Sequence, residues 1–118
     1  MDVNRRAQLK EAYREMTTWY GVVKLTNTVT DKVFIASYPN LKNKELVLRA
    51  QLDDGRHPNA ALQADWRTFG SNSFAYEVLE QKDAAKVEDA RFAAKQLEKH
   101  YLQTLEPYGD HGYNKPPK

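Results

Sequence analysis

The side chains able to do chemistry lie far apart in this chain. Among them are Lys44, His57, Glu98 and Asn114, with Tyr20 opening one β-rich stretch and Tyr38 closing the next. His57 has the ordinary pKa range for proton transfer near neutrality. A tyrosine hydroxyl can orient water or exchange a proton. Each residue also has a plain structural use. His57, next to Pro58, suits a loop histidine bonded to backbone. Glu98 suits a helix-surface acid paired with Lys95 at i,i+3. Lys44 suits an exposed helix charge, and Asn114 could stitch the tail to a sheet. Other chemistries are excluded. The five glycines are dispersed, so no phosphate-binding loop is present. His57, His100 and His111 are too scattered for zinc-ligand spacing. Cysteine is absent, which removes disulfides and thiolate metal sites.

The elements that must position these residues can be read from periodicity and caps. Leu9, Ala12, Tyr13 and Met16 recur at helical spacing, which predicts an amphipathic helix over 3–16. Tyr20–Thr26 and Lys32–Tyr38 are rich in β-branched and aromatic residues, and Asn27–Asp31 reads as the turn of a hairpin. Asn40 can cap a helix from Leu41 to about Leu52, stopped by Asp53-Asp54-Gly55. Asn59 can cap the next helix, with Leu62, Trp66 and Phe69 on one face and Gly70 as the stop. Ser73–Glu80 alternates as a third strand, with Phe74, Tyr76 and Val78 on one side. Asp83 can cap a long helix whose apolar stripe is Val87, Ala90, Ala94, Leu97, Tyr101 and Leu105. The Pro- and Gly-rich tail from Glu106 should be irregular, with at most one short strand. Trp66, Phe69, Phe92 and Tyr101 sit at helix-face spacing and read as core rather than base-stacking platforms. The fold class is therefore α/β (α+β): a small three-stranded antiparallel or mixed sheet flanked by helices, with an extra N-terminal helix. The chain reads as one domain: 1–19 a helical extension, 20–114 the folded domain, 115–118 a tail.

A discontinuous pattern runs through these elements. Gly21-Val22-Val23-Lys24-Leu25-Thr26-Asn27 is followed by Lys32-Val33-Phe34-Ile35-Ala36-Ser37. Then come Asn40-Leu41-Lys42-Asn43-Lys44, His57-Pro58-Asn59, Leu97-Glu98-Lys99-His100-Tyr101-Leu102 and Gly112-Tyr113-Asn114. Together they resemble the GIY-YIG nuclease superfamily over about Gly21–Asn114. Helix 3–16 resembles an addition in short Gram-positive members. The resemblance implies phosphodiester hydrolysis with one divalent cation, Mg²⁺ or Mn²⁺, on the glutamate matched by Glu98, a hard ligand for a hard ion. It implies an arginine that stabilises phosphate charge, matched by Lys44. It implies a histidine matched by His57 and an asparagine matched by Asn114. It also implies motif tyrosines, and these are lost: Val23 stands at the first and Phe34 at the second, while Ala36 replaces a glycine. Lys44 keeps the charge but not the fork of an arginine. General-base help is worth about 10²–10⁴-fold, so slow chemistry is expected unless His57 or a flanking tyrosine substitutes. Tyr38 shares strand parity with Phe34, whereas Tyr20 shares it with Val22 and not Val23. Tyr38 is the better-placed substitute.

The bulk properties fit this reading without proving it. The 118 residues suit one compact domain, with 41% apolar residues and a mean hydropathy of -0.81. The net charge of +2 is weak evidence for a basic stripe. No run approaches the ~20 apolar residues of a membrane span, and the start does not read as a signal peptide, so a cytoplasmic location is expected. Nucleic acid, with DNA first, is the expected partner, and no membrane is. Three functions compete: an atypical metal-dependent endonuclease, a degenerate nuclease fold that binds nucleic acid without cutting, and a protein-interaction domain that kept only the scaffold.

Overall fold

A computed structural model describes residues 17–116. The helix expected over 3–16 lies outside the described residues. The elements are β1 (Trp19–Asn27), β2 (Val33–Tyr38), α1 (Lys44–Asp53), α2 (Ala60–Phe69), β3 (Phe74–Asp83) and α3 (Ala90–Leu105). Short 3₁₀ turns occupy Ser71–Ser73, Ala84–Lys86 and Gly109–His111. The strands form one antiparallel sheet in the order β2-β1-β3. The expected α+β architecture is thus present.

The hairpin forms because Asn27 bends the chain onto itself. Its side chain, fully buried, accepts from Val29 N–H at 3.0 Å and Thr30 N–H at 3.4 Å. That is an Asx turn, the short-range alternative to a backbone turn. Asn59 caps α2 as expected, accepting from Leu62 N–H at 3.0 Å, and Gly70 ends it at φ 85°. On one face of the sheet, Leu25 and Phe74 meet Leu48 and Leu52 of α1, Leu62 and Trp66 of α2, and Tyr113 of the tail. Arg49 fastens this layer. It donates to the Ser71 and Phe74 carbonyls at 3.2 and 2.9 Å and lies over the Trp66 ring.

Three boundaries differ from expectation, each because a distant partner outcompetes a local cap. Asn40 does not start α1. The Leu41 N–H is taken by the Trp19 carbonyl at 2.8 Å, which holds this stretch against the end of β1. Asn40 instead accepts from Lys42 N–H, and α1 begins after Asn43, a left-handed residue at φ 61°. β3 continues past Glu80 to Asp83, paired with Trp19, after a bulge that leaves Leu79 opposite no β1 residue. Asp83 then caps only the Ala84–Lys86 turn. Ala84 N–H donates to the Thr18 carbonyl at 2.9 Å, so α3 waits until Ala90, capped by Asp89. Val87 therefore lies outside the helix. The tail forms a single parallel bridge, Gly112 to Val33, rather than a strand.

Gly21 sits beside the bulge, where β1 and β3 approach closely. A Cβ there would run into the Glu80 carbonyl oxygen and come within 3.1 Å of the Gln81 Cα, both backbone atoms that cannot rotate aside. Gly21→Ala should therefore cost about 2–3 kcal/mol as an overpacking defect, a fall of roughly 10–20 °C in Tm for a domain this size. Gly109→Ala is the control. It meets nothing within 4 Å but sits at φ 59°, for a cost of about 1 kcal/mol. Equal melting shifts for the two would show that the β1–β3 approach is not tight.

Candidate active site

The sheet's second face is covered by α3, which packs on β1 and β2. A cross-strand row of Ser37, Val22 and Glu80 lies on this face, with Val22 at 0% exposure. Glu98 and Tyr101, one helical turn apart on α3, bond the two ends of that row. Ser37 Oγ donates to Glu98 Oε1 at 3.0 Å, and Tyr101 OH donates to Glu80 Oε1 at 2.8 Å. Glu98 thus points at the hairpin. Its other oxygen lies 3.5 Å from Lys95 Nζ, and its side chain is only 19% exposed.

Tyr38 ends β2 next to Ser37. Its hydroxyl pKa is raised, first by burial and then by the negative charge of Glu98. Lys44 Nζ lies 5.6 Å from the centre of the Tyr38 ring, a cation–π distance. Tyr76 is pushed up to about 12 by burial, with Tyr38 and Glu45 adding to it. Carboxylate, phenol and ammonium therefore gather around one end of β2. Both phenols are protonated at neutral pH, so each is a hydrogen-bond donor rather than a base.

Other residues singled out in the sequence are placed differently. Cross-strand register puts Val23 opposite Ala36 and Leu25 opposite Phe34, on the face that α1 and α2 cover. Ser37, which Glu98 bonds, belongs to the other face. The motif positions Val23 and Phe34 consequently lie on the opposite face from the one that Glu98 reaches. Val23 is 1% exposed. Asn114 uses both ends of its amide on β2, accepting from Ile35 N–H at 2.9 Å and donating to Ile35 C=O at 2.8 Å. These are the bonds of a residue that stitches the tail to the sheet. Phe34 stands edge-on to His57 with ring centres 5.3 Å apart.

His57 Nδ1 accepts from Asn59 N–H at 3.0 Å. That bond occupies one lone pair and assigns the neutral ring's proton to Nε2, again a donor. Burial lowers the His57 pKa below 6.5, against a smaller upward pull from the Asn59 backbone. The folded chain therefore takes up this proton less readily than the unfolded chain. Stability is retained above the ordinary histidine pKa and lost as pH falls below it toward the folded value. His57→Asn, whose Oδ1 can keep the Asn59 contact, should lose less stability between pH 7 and pH 5 in denaturant melts. Identical losses in both proteins would sink this.

Ser37 and Tyr76 were not found by sequence reasoning. Ser37 was legible only as the neighbour of Tyr38. Tyr76 read as a core alternation residue, and its relation to Tyr38 depends on the β1–β3 register. Among the described residues no group of three or more His, Asp or Glu side chains could hold a metal together.

The chain is an antiparallel three-stranded sheet with helices on both faces and an acidic residue on the last helix reaching the first hairpin, and it shares its fold with two solved structures. The catalytic domain of homing endonuclease I-TevI matches it at a TM-score of 0.68 and 20% identity, covering 83% of this chain and 99% of that one. The catalytic domain of intron endonuclease I-TevI, in a glutamate-to-alanine mutant, matches at 0.54 and 24%, covering 81% and 92%. No family model and no curated protein matches the sequence.

Proposed function

We propose that this chain hydrolyses phosphodiester bonds in nucleic acid, with DNA as the expected substrate, slowly and with a divalent cation held at Glu98. The observation that carries the reading is that Glu98 bonds Ser37 near the end of β2, where its charge reaches the neighbouring Tyr38, whose ring Lys44 approaches. GIY-YIG nucleases are generally metal-dependent. The donor set here suits Mg²⁺ or Mn²⁺, because a single hard carboxylate with water and substrate phosphate is how such ions are commonly held. When bound, the cation would polarise the phosphate and stabilise the leaving oxygen. Lys44 places a point charge where a phosphate oxygen gains negative charge. Tyr38 donates a hydrogen bond to phosphate or to the attacking water. Its raised pKa keeps it from taking that water's proton, which passes to solvent, so cleavage is slow. Among the described residues no helix is long and apolar enough to cross a membrane. The cytoplasm is the compartment this reading implies.

A second reading has its own support. The His57 Nδ1 lone pair and both ends of the Asn114 amide are already bonded to backbone, and both motif tyrosines are absent. A degenerate domain that binds nucleic acid, or only protein, would look like this. Incubating the purified chain with plasmid and single-stranded DNA, with Mg²⁺ or Mn²⁺ and then with a chelator, separates the readings. Nicking that the chelator stops supports hydrolysis. Retardation that fades with salt, without nicking, leaves binding. Neither result leaves the interaction domain.

A further inference from the structure

Both oxygens of the Glu98 carboxylate are engaged, and the two partners differ in kind. Ser37 Oγ is a neutral donor at 3.0 Å, fixed on a strand and half-buried. Lys95 Nζ is a cation at 3.5 Å on a side chain 62% exposed, one turn earlier on α3. An exposed ion pair of this kind is weak, and a lysine on a flexible stem can swing away into water. A serine hydroxyl on a strand has only its χ1 rotamers to move through, so its oxygen stays near the carboxylate.

We propose that Ser37 and Lys95 together set the affinity of Glu98 for a divalent cation: Ser37 positions the carboxylate, and Lys95 is a built-in counter-ion that the metal must displace. This inference rests on Glu98 being the metal ligand. In the metal-free chain Lys95 neutralises the carboxylate. A divalent ion, with twice the charge and a preference for oxygen, takes its place, and the ammonium moves into solvent. Lys95 thus holds affinity down and makes it depend on ionic strength. Ser37 holds it up by keeping one oxygen still. Neither residue is a ligand, and neither touches substrate in this scheme.

The test uses the whole chain and Mn²⁺ alone, without DNA, read by the loss of the free-ion electron paramagnetic resonance signal. Lys95→Gln should bind Mn²⁺ about two- to five-fold more tightly than wild type at low salt, with the gap closing as salt rises. Lys99→Gln removes the same charge from the neighbouring position and should change affinity less. Ser37→Ala should weaken binding several-fold, and Ser37→Thr, which keeps the hydroxyl, should restore it. Equal effects from Lys95→Gln and Lys99→Gln would reduce the effect to net charge and overturn the proposal. Binding that Glu98→Gln removes, but that ignores Lys95 and Ser37, overturns this inference and leaves the metal reading standing. If wild type and Lys95→Gln both fail to bind Mn²⁺ at millimolar concentrations, both fall.

Discussion

Glu98→Gln is expected to reduce metal-dependent cleavage by at least about 100-fold while leaving the fold nearly untouched. The two halves of that expectation have separate physical grounds. Glutamine keeps a carbonyl oxygen that can accept from Ser37 Oγ, so the bond that pins α3 to β2 survives. Tyr101 still bonds Glu80 at the other end of the row. What is lost is the negative charge, and with it the weak pair to Lys95, worth roughly 0.2–1 kcal/mol because the lysine end is exposed. Thermal midpoints should therefore agree within a few degrees. A neutral amide is a poor ligand for a hard dication, and no neighbouring acid completes a metal cluster among the described residues. Losing electrostatic stabilisation at developing charge typically removes about 10²–10³ in rate. Nicking of supercoiled plasmid, followed alongside melting curves, reads both quantities. Cleavage that persists in the glutamine variant would rule out Glu98 as the ligand. A collapse in Tm would instead show that its main work is structural.

Features set by neighbours in sequence were legible, and features set by distant partners were not. The hairpin, the Asn59 cap and the Gly70 stop depend on bonds spanning a few residues, and all three formed as read. The starts of α1 and α3 depend on carbonyls of Trp19 and Thr18, which no local pattern reveals. Strand parity did put Tyr38 with Phe34, and the register confirms that shared face through Gly21 and Leu25. Parity could not say that burial and Glu98 would raise the Tyr38 pKa, because that needs the α3 packing. Asn114 shows the same limit. Its type and position suited either a site or a stitch, and only the Ile35 backbone on both sides of its amide distinguishes them. Arg49 is another case: its bonds to two carbonyls of the Ser71–Phe74 stretch have no local signal.

Phe34→Tyr is expected to raise the cleavage rate by about 10- to 100-fold, toward the lower end of what general-base help supplies. The ring is already placed, partly buried against the core and edge-on to His57, so the change adds one oxygen rather than a new side chain. Phe34 lies three residues along β2 from Ser37, where Glu98 bonds, whereas Tyr38 is next to it. The added hydroxyl would thus feel less of the Glu98 charge that helps hold the Tyr38 proton. Because a phenol loses its proton near pH 10, the gain should grow from pH 7 to pH 9, which separates a new base from a mere packing effect. Val23→Tyr makes a contrasting case. Val23 is 1% exposed and faces Ala36 and Val78 across the strands, so a phenol there overfills the site for about 1–3 kcal/mol and should lower stability without comparable gain. Rates for wild type, Phe34→Tyr, Tyr38→Phe and His57→Asn, measured across that pH range, decide the matter. An unchanged Phe34→Tyr rate, together with a large loss in Tyr38→Phe or His57→Asn, would mean that the chain already has a working substitute for the missing tyrosines.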